Sequence, residues 1–132
     1  LVDRSLEYLR ALERDAQGSV ELRRDLAKGW ERLADVQGAY LDPNLGEHAQ
    51  ALESYRRSLA LREELFRERP TLEHRIDLLR VQVSLSEVLL LREALEEARI
   101  VVPAALRNAE AMLLESTAPA NGRRLAMSAY LN

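Results

Sequence analysis

Two histidines, two pairs of adjacent glutamates and a turn that holds two glycines are the residues of this chain whose types could do chemistry. His48 and His74 would serve a metal centre if a glutamate stood one helical turn away on the same face. The positions three residues before them hold Leu45 and Thr71, so the Glu-x-x-His arrangement of di-iron bundles is absent, and no His-Glu-x-x-His zinc motif occurs. Each histidine reads as an exposed residue near a helix end. Glu63-Glu64 and Glu96-Glu97 are the paired carboxylates. General acid–base work needs carboxyls that converge on one substrate, but helical neighbours point about 100° apart. Both pairs read as solvated faces. Gly38 and Gly46 flank the turn without matching the phosphate-binding G-x-x-x-x-G-K-[ST]. The chain has no cysteine, which removes disulfides and thiol nucleophiles. These residues predict no catalytic site, no cofactor and no metal.

The rest of the sequence reads as helix. Of 132 residues, 26 are Leu, 18 Ala, 18 Arg and 16 Glu, an excess of good helix formers that predicts an all-α chain. One domain of this size can bury a real core. The net charge is −3, and a nucleic-acid partner would call for a basic patch that the sequence lacks. The longest apolar run, Val88-Leu89-Leu90-Leu91, is far short of a membrane span. No signal peptide is visible, and the expected location is cytoplasmic. The chain opens on Leu1, not Met, and its last residues read as helix, so it is expected to be a fragment of a longer protein. Eighteen Arg against one Lys points to a GC-rich bacterial source.

Hydrophobic periodicity places the helices. Leu6, Leu9, Leu12 and Ala16 form a stripe over 2–16. Gly18 stops that helix and Ser19 can cap the next, which runs over 20–37 with Leu22, Leu26, Trp30 and Leu33 on one face. A third helix spans 47–69, with Leu52, Tyr55, Leu59 and Phe66 buried, and Pro70 ends it. Thr71 caps a fourth over 72–92, where Leu72, Ile76, Leu79 and Val83 lie on one side and Leu78, Leu85 and Leu89 on another. So wide an apolar surface predicts packing on two sides. The fifth helix covers 95–116; Pro103 either kinks it or opens a new helix after a break over 100–102, and the kink is the favoured reading. Asn121 caps a sixth, over 123–131. Trp30 belongs to the core stripe. Tyr40 lies in the turn, outside any stripe, as either a plug under the turn or an exposed contact residue, and Leu41 and Leu45 beside it predict a turn that packs down.

The second and fourth helices repeat one another at an offset of 52. Glu21, Arg23, Asp25, Leu26, Leu33 and Val36 meet Glu73, Arg75, Asp77, Leu78, Leu85 and Val88, six identities in sixteen positions. Trp30-x2-Leu33-Ala34 followed by Ala51-x3-Tyr55 resembles the tetratricopeptide pattern. In the next pair, Ser86 to Ala98 has the twelve-residue spacing usual for such repeats. Ala34 to Ala51 is seventeen residues, so DVQGAYLDPNLG, over 35–46, is the turn of one repeat enlarged by about five residues.

ELRRDLAKGWERLADVQG, the PNLG turn and ALESYRRSLALREEL together resemble the tetratricopeptide region that follows the kinase domain in many bacterial serine/threonine protein kinases. The chain departs from the pattern at Gln37, Ser58, Gln82 and Pro103. The resemblance implies a short α-solenoid of antiparallel helix pairs, about six helices. Residues 1–18 would be a leading helix, 19–70 and 71–118 two repeats, and 119–132 the start of a further helix. It also implies a protein-interaction function, with the first helix of each pair lining a concave face. Lys28, Glu31, Asp35, Arg80, Val83 and Glu87, one step off the buried stripes, are then the candidate groove residues for a protein or peptide partner. Glu31 and Asp35 stand where chaperone-binding members carry the Lys and Asn that clamp a terminal carboxylate, so no such clamp is expected. The competing readings are a homodimerising structural module, with the fourth and last helices on a second copy, and an enzyme or ligand-binding bundle. The last would need convergent polar residues inside the core, and none is apparent in the sequence.

Overall fold

The computed structural model describes residues 2–39 and 45–117. Over these the chain is all-α, with five helices: α1 (Val2–Asp15), α2 (Val20–Gly38), α3 (His48–Glu68), α4 (Leu72–Leu91) and α5 (Leu95–Thr117). Each packs antiparallel against the next in sequence. The sixth helix expected over 123–131, and Tyr40 and Leu41 of the enlarged turn, lie outside the described residues.

The helix ends follow local chemistry. Ser19 and Thr71 are extended, and their hydroxyls accept from the backbone N–H of Leu22 (3.1 Å) and His74 (3.2 Å). Both caps satisfy amides that have no carbonyl partner in the first turn. Pro70 forces Arg69 into an extended conformation and α3 stops. The end of α4 is less conventional. Glu93 takes a left-handed φ of 56°, and Ala94 N–H returns to the Leu89 carbonyl at 2.8 Å, a closure normally built on glycine. α5 runs as one α-helix through Pro103. The proline ring is exposed there, away from any neighbouring helix.

Packing divides into two clusters. Leu9, Ala16, Leu26, Trp30 and Leu33 join α1 to α2. The contact is close because residue 29 is glycine: a Cβ there would fall 2.4 Å from a methyl of Leu9. The larger cluster runs from Ala34 through Ala51, Leu52 and Tyr55 to Leu78, Val81, Leu85, Val88, Leu89, Ala98 and Val101. Ala34 and Ala51, fully buried, let the backbones of α2 and α3 come near. Arg57 lies over the Trp30 ring at 5.0 Å, a cation–π contact that covers the core's largest side chain.

α4 packs on two sides, against α3 and against α5, as its wide apolar surface predicts. Several other expectations are corrected. The α4 stripe of Leu72, Ile76, Leu79 and Val83 is not one of the sealed sides: Leu72 and Val83 each remain 43% exposed. Leu45 is exposed, since its stretch is held through backbone bonds, Leu45 N–H to the Val36 carbonyl and Glu47 N–H to that of Gln37. Neither histidine is exposed. His48 is half-buried with Nδ1 at 3.2 Å from the Gly38 carbonyl, and His74 is buried with Nδ1 at 2.9 Å from the Arg69 carbonyl. Each ring folds back on the chain that precedes its helix.

Ion pairs supplement the apolar contacts. Arg23, buried on α2, reaches Glu64 and Glu68 of α3, each at 2.6 Å. The guanidinium's hydrogen bond holds the Glu68 carboxyl below its ordinary value of 4.5. A lowered folded-state pKa stabilises the fold above the ordinary carboxyl range, and that contribution fades as pH falls through it. The stability difference between the wild-type chain and Arg23→Met, measured by urea unfolding, is therefore expected to shrink from neutral pH to about pH 3. A difference that grew on acidification would refute the assignment. Glu93→Gly should raise stability by about 1 kcal/mol in the same assay, because glycine adopts a left-handed φ without steric cost.

Candidate functional site: a charged groove between α2 and α4

α2 and α4 are not consecutive, yet side chains bring them together. Arg24 of α2 donates to Glu73 at 2.6 Å and to Asp77 at 3.4 Å, both on α4. Behind this pair stands Arg62 of α3, only 6% exposed in its side chain. Its Nε donates to Glu31 of α2 at 3.0 Å and its Nη1 to Asp77 of α4 at 3.3 Å. Ser58, one turn earlier on α3, donates to the same Glu31 carboxylate. Arg80 closes the cluster at 3.6 Å from Asp77.

Arg24, Glu31, Arg62 and Asp77 form the floor and walls of a cavity of about 320 Å³, whose rim is Glu21, Asp25, Lys28 and Arg80. The lining is four acids and four bases, so the groove is neutral in sum and strongly polar in detail. The floor charges are mutually satisfied: the Glu73 hydrogen bond pushes the Arg24 guanidinium pKa up further. Lys28 is exposed and makes no ion pair among the described residues. The rim thus presents donors and acceptors of both signs, while the floor is a fixed network. Among the described residues no group of three or more His, Asp or Glu is placed to hold a metal ion.

The six groove candidates divide. Lys28, Glu31 and Arg80 line this one cavity, although Glu31 is turned inward to Ser58 and Arg62. Asp35 does not line it; farther along α2, it accepts a hydrogen bond from the Tyr55 hydroxyl. Val83 and Glu87 also lie outside it, on the next turns of α4. Three of the six candidates therefore line this cavity and three lie outside it.

Sequence reasoning missed Arg24, Arg62 and Asp77. The signal was present: Ser54, Ser58 and Arg62 recur every four residues on α3, a polar stripe among apolar ones. Each finds a polar partner on α2, Ser54 with Gln37 at 2.7 Å and the other two with Glu31. A second buried network joins α4 to α5, where Arg75 donates to Asn108 at 2.7 Å and Asn108 to Gln82 at 3.1 Å. Arg75 also lies 4.6 Å from the centre of the Phe66 ring. Polar residues do converge inside this core, contrary to the expectation, and they bond to one another there. A larger cavity, about 520 Å³, lies between α3 and α5 and is mainly apolar, with Phe66, Leu78 and Val101 in its wall. Glu63 at its edge has its carboxyl pushed up by burial.

No helix among the described residues is long and apolar enough to cross a membrane. No protein-family model, no curated protein and no solved structure matches the chain.

Glu31→Ala is expected to cost about 3 kcal/mol of stability, since it strands part of a buried guanidinium. Lys28→Ala, at the exposed rim, should stay within about 0.5 kcal/mol. Urea unfolding of both variants checks the division into floor and rim, and equal losses would overturn it.

Proposed function

We propose that this chain is a tetratricopeptide-like protein-interaction scaffold, and that the groove between α2 and α4 receives a segment of a partner protein. The observation that carries the reading is the pairing of two non-consecutive helices through Arg24 and Arg62, which leaves Lys28 and Arg80 at the mouth of an open, charged groove. A mixed-sign rim over a fixed floor suits recognition by charge pattern, with specificity arising from matched and mismatched pairs. The repeat at an offset of 52 and the Trp30-x2-Leu33-Ala34 and Ala51-x3-Tyr55 patterns support the tetratricopeptide reading. The likeness to the region after the kinase domain of bacterial serine/threonine kinases, close over residues 6–70 and looser over 71–131, supports a regulatory or docking role within a kinase-bearing parent.

The test is a pull-down from native lysate with the chain and with Lys28→Glu/Arg80→Glu, read by mass spectrometry. Both positions are exposed, so the double variant should keep its helical circular dichroism. A protein held by the wild-type chain and lost by the variant is the expected result. Identical retained sets would remove the groove from consideration.

A further inference from the structure

Not all apolar residues of α4 enter the core. Leu72, Ile76, Leu79 and Val83 recur at i, i+4, i+7 and i+11 and so form one stripe. Leu72 and Val83 are 43% exposed, and the other two are half-buried. α5 carries a matching stripe in Leu106, Ala109 and Leu113, with the two leucines 60% and 64% exposed. The stripes face one groove, to which α4 contributes Leu72, Ile76 and Leu79 and α5 contributes Ala109, Met112, Leu113 and Glu115.

The internal repeat shows what sets this face apart. At the offset of 52, Ile76 stands on Arg24, Leu79 on Ala27 and Val83 on Glu31. On α2 that row meets its neighbours through charge: Arg24 bonds Glu73 and Asp77, and Glu31 bonds Arg62. On α4 the charges are gone. A covering helix with carboxylates, such as α4 itself offers to α2, would find no partner for them here. The occupant must be apolar along most of both helices, with the Glu115 carboxylate, one oxygen of which is buried without a hydrogen-bond partner among the described residues, as a charged group in the groove wall.

We propose that the α4/α5 face is a homodimer interface, two copies meeting about a two-fold axis so that their helix pairs form a four-helix layer. The face complements itself in chemistry, apolar along both stripes. Charge agrees with this pairing. Arg80 and Glu87 lie seven residues apart beside the α4 stripe, so an antiparallel crossing at Val83 and Ser84 sets Arg80 of each copy level with Glu87 of the other. Area agrees as well. A 20-residue helix is about 30 Å long, and two at about 10 Å spacing present roughly 600 Å² per copy. The two copies together bury roughly 1,200 Å², the lower bound for a specific, stable interface. The interface is separate from the α2/α4 groove except at Arg80, which lines that groove and lies 3.6 Å from Asp77 there.

Light scattering of the 132-residue chain at several concentrations tests it. The expected mass is twice 15.0 kDa. Val83→Glu/Leu106→Glu should give the mass of one chain with unchanged helical circular dichroism, while Lys28→Glu, which alters the groove, should remain a dimer. Because the chain has no cysteine, Val83→Cys supplies a second readout. Its thiols meet near the two-fold axis, and mild oxidation should join two chains by a disulfide. A single-chain mass at every concentration would overturn the proposal and assign the face to another part of the chain or to a different protein. A dimer that survives the double Glu variant, or Val83→Cys chains that stay unlinked within a dimer, would overturn it too.

Discussion

Arg62 leaves α3 almost wholly shielded from water and ends between two carboxylates, Glu31 on α2 and Asp77 on α4. Removing a guanidinium from water costs several kcal/mol unless charge and hydrogen bonds are restored around it. Both carboxylates must therefore stand where they do, and three helices share one register as a result. Arg24 repeats the tie nearer the surface, and Ser58 takes up a remaining lone pair of Glu31. Apolar contacts alone would let α2 and α4 slide, since leucine on leucine is tolerant of small shifts. The buried arginine is directional and is not.

The same cluster sets the character of the surface above it. Charges needed to hold the helices are consumed in the floor, so the groove's rim is left to Lys28, Arg80, Glu21 and Asp25. Under the proposed function, a partner segment would meet solvated side chains over a base fixed by ion pairs. Pre-organisation of the base limits the entropy lost on binding to what the rim itself must order.

α4 carries two roles that conflict in composition. Toward α2 and α3 it presents Glu73, Asp77 and Leu78; toward α5 it presents Val88, Leu89 and the Arg75–Gln82–Asn108 network. Its remaining side is Leu72, Ile76, Leu79 and Val83. That is why α4 is apolar over more of its circumference than α2 and yet incompletely buried. The repeated helix α2 resolves the same problem with Arg24 and Glu31 in place of Ile76 and Val83. Two related helices thus make opposite surfaces, one closed by ion pairs and one left apolar.

The sequence by itself determined the five described helices and most of their ends. Caps, glycines and Pro70 act over a few residues, and the apolar period is a property of one helix at a time. Trp30, Leu26 and Leu33 could be placed in the core for that reason, and the offset of 52 was visible because Asp77 and Leu78 echo Asp25 and Leu26. Only the tertiary structure decided which charged residues are floor and which are rim. Glu31 and Lys28 are both polar residues of α2 beside its apolar stripe, and nothing local distinguishes them. Arg62, from a helix thirty residues away, draws one inward and leaves the other in water. The burial of His74, the exposure of Leu45 and the open side of α4 have the same origin: each depends on what a distant segment offers, and a helical period records only which side of its own helix a residue occupies.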